Sequence, residues 1–84
     1  MNIYVGNLNY RLKEEDLNEV FSNYGEVSSV KIITDRVTGR AKGFAFVEMS
    51  NDDDALKAIE ELDGSELMER EMRVNQAKPR NDNN

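Results

Sequence analysis

A chain of 84 residues forms one domain, and its core must be small: at this size roughly 60–65% of the unfolded chain's surface can be buried. It has no cysteine and no histidine, which excludes disulfide staples, thiolate chemistry and the usual general base near neutral pH. Eleven Lys and Arg against 17 Asp and Glu leave a net charge of −6, a balance that argues at first against a polyanionic partner.

In chain order, Asn2 to Gly6 alternates Ile3 and Val5 against Tyr4 and reads as a strand that ends at Gly6-Asn7. The segment from Leu12 to Tyr24 reads as a helix with Leu17, Val20, Phe21 and Tyr24 on one buried stripe. Gly25 is expected to terminate it. Val27 to Ile33 is rich in β-branched residues and reads as a second strand. Asp35 to Arg40 is a polar loop in which Gly39 supplies a positive φ.

The octapeptide Lys42-Gly43-Phe44-Ala45-Phe46-Val47-Glu48-Met49 is the third strand and the most informative stretch. Alternation sends Gly43, Ala45, Val47 and Met49 to one face and Lys42, Phe44, Phe46 and Glu48 to the other. The charged ends mark the second face as the wet one, so two phenylalanines stand in water. Each forgoes roughly 1.5–3 kcal/mol of available burial. Large flat rings placed this way point to a flat partner that covers them. A nucleobase is one, and the adjacent lysine suits a phosphate. Gly43 is expected to allow close helix-to-sheet packing.

Ser50 offers a cap for a second helix, with Asp53 completing a capping box. Ala55, Ala58, Ile59 and Leu62 form its apolar stripe, and Gly64 ends it. Met72 and Val74 then alternate with Arg73 and Asn75 in a last strand. The predicted organisation is a domain over residues 1–78 and a disordered tail over residues 79–84. No segment reads as a signal peptide or a membrane span, and a cytoplasmic protein is expected. Asp52, Asp53 and Asp54 are consecutive at a helix start, do not face one another and lack EF-hand spacing; no metal or other cofactor is expected.

The order strand, helix, strand, strand, helix, strand is that of an α+β, ferredoxin-like βαββαβ sandwich: a four-stranded antiparallel sheet packed on two helices. Each helix has one apolar stripe, so both cover one sheet face and leave the other open. Tyr4, Lys31, Phe44, Phe46, Arg73 and Asn75 all fall on the open face by alternation. The charges segregate in the same sense. The first helix carries one lysine against four acids, net −3, and the second one lysine against six, net −5. Residues 31–47 carry four cations against Asp35 alone, net +3, and residues 72–81 carry three cations and no acid, again +3. A local basic surface can hold a polyanion while distant acid tempers it.

With this strand order, the octapeptide and the hexapeptide Ile3-Tyr4-Val5-Gly6-Asn7-Leu8 resemble the two signature segments of the RNA recognition motif family. The likeness runs from about Asn2 to Lys78. The chain is similar to the small single-motif RNA-binding proteins of bacteria and chloroplasts. Met49 departs from the usual aromatic, and Glu69 stands where relatives often carry glycine. Lys13 or Leu12 occupies the usual Ser/Thr cap position of the first helix, where Glu14, Glu15 and Asp16 favour the positive helix terminus.

The resemblance implies a non-enzymatic, monomeric domain that binds a few unpaired nucleotides of single-stranded RNA, with single-stranded DNA an allowed ligand. Tyr4 and Phe44 would each stack under a base, and Phe46 would contact riboses. Lys42 and Arg40 would hold phosphates. Lys31, Arg73 and Asn75 would meet base edges or phosphates, and Lys78 and Arg80 would extend the contact. Post-transcriptional regulation or RNA chaperoning is the expected role. Two rivals use the same fold. One is a protein-interaction module that meets its partner through the acidic helices. The other is a small acyl phosphate hydrolase with an arginine beside an asparagine near the first strand, for which Arg11 is the candidate.

Overall fold

The computed structural model describes residues 1–77; Lys78, Arg80 and the tail at 79–84 lie outside the described residues. The elements are β1 (Asn2–Gly6), α1 (Glu14–Ser22), β2 (Val27–Thr34), β3 (Ala41–Met49), α2 (Asp52–Leu62), β4 (Glu66–Leu67), β5 (Arg70–Glu71) and β6 (Arg73–Gln76). Four of them form an antiparallel sheet in the order β2-β3-β1-β6, so the two signature segments lie side by side at its centre. This is the ferredoxin-like arrangement of two βαβ units.

One face of that sheet carries the core. Ile3 and Val5 from β1, Ala45, Val47 and Met49 from β3, and Val74 from β6 are fully buried against Leu17 and Phe21 of α1 and Ala55, Ala58 and Leu62 of α2. Val20, Tyr24 and Ile59 pack at its margin. Met49 fills its core position without an aromatic ring and is fully buried.

The helix ends differ from the sequence reading in ways the local chemistry explains. The α1 cap residue is Lys13, whose ammonium has no acceptor to offer. Only the return half of a capping box forms, the Lys13 N–H donating to Asp16 Oδ2 at 2.9 Å. Asn51, not Ser50, caps α2, its Oδ1 accepting the Asp54 N–H at 3.0 Å. The α1 C-cap is Asn23, and Gly25 has no left-handed backbone. Gly25 instead gives room: a Cβ there would lie 2.7 Å from the Cβ of Asp54.

The segment between α2 and the last strand folds as a short extra hairpin, β4 against β5, which two-residue strands do not announce by alternation. Its turn residues Met68 and Glu69 have φ of +52° and +69°, the geometry of a type I′ turn that Asn-Gly would fill without strain. Asn7 and Asn9 tie this hairpin to the β1–α1 loop. Asn7 Nδ2 donates to the Glu71 carbonyl at 2.6 Å, Asn9 Nδ2 donates to the Met68 carbonyl at 3.1 Å, and Arg70 Nη2 donates to Asn7 Oδ1 at 2.7 Å.

Candidate nucleic-acid interface

Strand register sets the open face in rows. Lys31 is opposite Phe46, Phe46 opposite Tyr4, and Tyr4 opposite Asn75, so one row crosses all four strands. On one side of it, Ser29, Glu48 and Asn2 form an uncharged-to-acidic row. On the other side stand Phe44 and the registered pair Gly6–Arg73, followed by Lys42 and the β2–β3 loop with Arg36 and Arg40. Cationic charge therefore rises along the face toward the loop. Lys31, Arg40, Lys42, Arg73 and Asn75 are exposed, and none of the four cations forms an ion pair with another described residue.

The three rings form a triangle. Tyr4 and Phe44 have centroids 5.9 Å apart with planes at 32°, Tyr4 and Phe46 are 5.9 Å apart at 64°, and Phe44 and Phe46 are 6.1 Å apart at 89°. Two of these are edge-to-face contacts, which the aromatic quadrupole favours. None of the three joins the core, and Phe46 is 36% exposed. Tyr4 and Phe44 are half-buried by their neighbours on the face. The cost of leaving them uncovered is thus smaller than for isolated rings.

Gly6 makes room for the Tyr4 ring. As the next residue on Tyr4's side of β1, it offers no side chain, and the ring folds over its backbone. A Cβ at Gly6 would fall 2.8 Å from Cε2 and Cζ of Tyr4, well inside ordinary contact. The ring in turn buries Gly6. A side chain at this position would lift the ring out of the platform.

The loop at the cationic end is ordered by Asp35. Its Oδ1 accepts the N–H groups of Val37 at 2.7 Å and Thr38 at 3.3 Å, while its backbone exchanges bonds with Arg40 and Gly39. These backbone donors, helped by nearby Lys42, hold the Asp35 carboxyl below its ordinary value of 3.8. The one acid among the four cations is therefore the residue that shapes their loop. Gly39 has φ +74°, as its turn role requires.

Gly43 corrects the sequence reading. It does not serve helix-to-sheet packing. The β2–β3 register slips between Ile32/Ala45 and Thr34/Ala41, and Gly43 sits in that irregular stretch with φ +92°. A Cβ there would lie 3.3 Å from Cε1 of Tyr10, so the glycine makes space for a ring of the β1–α1 loop. The Leu8 N–H donates to the Gly43 carbonyl at 2.8 Å and fixes the approach.

Two residues beside this face were not among the expected site residues. Gly6 read as a strand end. Tyr10 carried no periodic signal in its polar loop, yet it is 67% exposed. It lines a groove of about 740 Å³ with Gly39, Arg40, Ala41, Lys42 and Phe44. The asparagines near the first strand, one of which the rival hydrolase reading needs free beside Arg11, are engaged: Asn7 bonds the Glu71 carbonyl and the Arg70 guanidinium. The Asn9 amide is committed to the Met68 carbonyl and to the Arg11 N–H, the latter at 2.9 Å. Among the described residues there is no acid cluster suited to a metal and no helix long and apolar enough to cross a membrane.

Comparison with known proteins agrees with this geometry. The sequence is 61% identical to "Putative RNA-binding protein RbpD" of a Nostoc species over 98% of this chain and 87% of that one. It is 44% identical to mitochondrial glycine-rich RNA-binding protein 4 of Arabidopsis thaliana over 93% of this chain and 57% of that one. Among solved structures, RNA binding protein PG1 superposes with a TM-score of 0.92 at 54% identity, covering 98% of this chain and 99% of that one. The Rna15 domain with bound RNA (GU) superposes with a TM-score of 0.82 at 31% identity, covering 93% and 83%. The RNA recognition motif matches residues 3–73. The chain belongs to the RNA recognition motif family, a family of RNA-binding and not of catalytic domains.

Proposed function

We propose that this protein binds a few unpaired nucleotides of single-stranded RNA on the open sheet face, with bases stacked on Tyr4 and Phe44 and riboses against Phe46. Lys42 and Arg40 hold phosphates at the loop end, and Lys31, Arg73 and Asn75 flank the rings where they reach phosphates or base edges. The observation that carries this reading is the ring triangle, outside the core and bordered by cations with no carboxylate partner among the described residues. Stacking on an aromatic is worth roughly 1–3 kcal/mol per base and tolerates changes of sequence. Unpaired bases are the expected targets because A-form grooves hide base edges from side chains. Stacking does not need the 2′-hydroxyl, so single-stranded DNA is a weaker ligand of the same face. The cellular role that suits so small a binding face is post-transcriptional regulation or RNA chaperoning in the cytoplasm.

Titration of short RNA pools against the wild type and Phe44→Ala tests this. The variant should lose roughly 1–3 kcal/mol of affinity with its melting temperature nearly unchanged. Equal losses of affinity and of folding stability would make the ring structural instead. A second reading rests on Leu56, 49% exposed on α2 between Asp53 and Glu60: a basic protein partner docked on that helix. Leu56→Asp would then abolish capture of the partner while leaving RNA binding intact.

A further inference from the structure

We infer that Glu48 reads the Watson–Crick edge of a guanine at the end of the open face remote from the β2–β3 loop; this rests on the single-stranded RNA reading of that face. Glu48 stands on β3 two residues after Phe46 and on the same side, with Asn2 of β1 and Ser29 of β2 opposite it in register. Three features make it a reader of bases. First, its carboxylate is exposed and forms no ion pair with a described residue. The one bond it accepts among the described residues comes from Ser29 Oγ at 3.4 Å, so its acceptor capacity is almost wholly unspent. Second, it lies on the platform and not beside it. Two residues along a strand are roughly 6.6 Å apart, a span that half the width of a base plus a hydrogen bond of about 2.9 Å covers. A base over Phe46 or over Tyr4, which is opposite it, therefore presents its edge to this row. Third, the cations of the face lie elsewhere: Arg40 and Lys42 stand at the other end, where phosphates belong, and a carboxylate repels a phosphate.

The chemistry of the edge selects the base. An ionised carboxylate accepts hydrogen bonds and donates none, and unpaired bases offer their Watson–Crick edges to side chains. Guanine carries two donors side by side there, N1–H and the N2 amino group, and these match the two carboxylate oxygens in charge-assisted bonds. Adenine and cytosine each set one amino group beside a ring-nitrogen acceptor, and the single N–H of uracil lies between two carbonyls. Each of those three would turn a lone pair toward Glu48. Guanine has one further group on that edge, the O6 acceptor next to N1–H, and exposed Asn2 supplies an amide donor beside Glu48 that suits it. The rings accept any base, whereas Glu48 adds a preference at one position of the bound strand.

The experiment uses fluorescein-labelled short oligouridine carrying a single guanosine moved one position at a time, then adenosine or inosine at the best position. Inosine keeps N1–H and O6 and lacks only the N2 amino group. Each RNA is titrated against wild type, Glu48→Gln and Phe44→Ala, with a thermal melt of each protein. Wild type should bind the best guanosine RNA about tenfold more tightly than its adenosine counterpart, as a bidentate side-chain–base pair confers, with inosine between the two. In Glu48→Gln, where an amide donor replaces one of the two oxygens, this preference should fall to about twofold or less at an unchanged melting temperature. If Phe44→Ala is impaired but wild type shows no guanosine preference at any position, or the preference survives in Glu48→Gln, base reading by Glu48 is overturned and the sheet-face reading stands. A uniform rise in affinity of Glu48→Gln for every RNA, with the preference intact, overturns it too, since the carboxylate would then act only as a repelling charge. Wild-type binding by Phe44→Ala overturns the platform itself.

Discussion

The seat of Tyr4 over Gly6 gives a sharp test of the platform, because a single methyl group should disable it without touching the core. In Gly6→Ala the new Cβ would lie 2.8 Å from two ring carbons of Tyr4, whereas ordinary contact needs 3.4 Å or more. The backbone of β1 is pinned on both sides by β3 and β6, so the ring moves, not the strand. Gly6 has no positive φ, and alanine in a strand recovers roughly 0.5–1 kcal/mol of the entropy that glycine loses on folding. That gain offsets the weakened ring contacts, about 0.5–1.5 kcal/mol, so the melting temperature should change little. RNA affinity should fall by most of the stacking contribution of one base, roughly 1–3 kcal/mol. Fluorescence anisotropy with short RNA measures the loss. The cycle with Tyr4→Ala isolates its origin: if the methyl acts only by displacing the ring, the double variant binds as weakly as Tyr4→Ala alone. Additive losses, or wild-type affinity in Gly6→Ala, would refute the claim that the seat of the ring over Gly6 creates the stacking surface.

Two further predictions concern the loops that frame the face. Glu69 has φ +69° in the β4–β5 turn, where a side chain costs about 1–2 kcal/mol. Glu69→Gly should therefore stabilise the fold by about 1 kcal/mol, a rise of roughly 4–8 °C in melting temperature for a domain of this size; an unchanged or lower value would contradict the strained turn. The Asp35 carboxyl is held below 3.8 by the N–H groups of Val37 and Thr38 and then by Lys42, so its contribution to loop order is present above the unfolded value and is lost as pH falls through the lowered folded one. Carbon-detected NMR should find Asp35 titrating below 3.8, with amide exchange at Val37 and Thr38 quickening as it protonates; a titration at or above that value would remove the carboxyl from the loop's support.

What the sequence made legible follows from periodicity. Alternation with period two placed Tyr4, Phe44 and Phe46 on one face and Ile3, Val5, Val47 and Met49 on the other, and the register bears this out residue by residue. The helical stripes were equally plain, since Leu17, Phe21, Ala55, Ala58 and Leu62 are all buried. Several of the failures share one cause: features created where chain segments distant in sequence meet. Gly25 answers to Asp54 and Gly43 to Tyr10, and no local pattern records either approach. The β4–β5 hairpin is pinned by Asn7 and Asn9, some sixty residues earlier. The cap of α2 is a local matter instead: the choice between adjacent Ser50 and Asn51 turns on backbone geometry that composition does not display.

The charge balance, which at first opposed an RNA ligand, becomes intelligible from the layer structure. The acids concentrate on α1 and α2, and both helices lie behind the sheet in a body of 37 × 36 × 20 Å. Charges on the outer side of the helical layer are separated from the open face by the thickness of the helices and the sheet, roughly 10 Å or more. The Debye length is about 8 Å at physiological ionic strength, so their repulsion is largely screened at that distance. Lys31, Arg40, Lys42 and Arg73 would meet phosphates at contact range, where screening is weak. The acid therefore acts selectively. Its repulsion is felt by a polyanion that approaches the helices and is largely screened for one on the aromatic face. On the proposed stacking mode, binding would depend on the rings more than on net charge, so a net charge of −6 does not oppose an RNA strand on the open face.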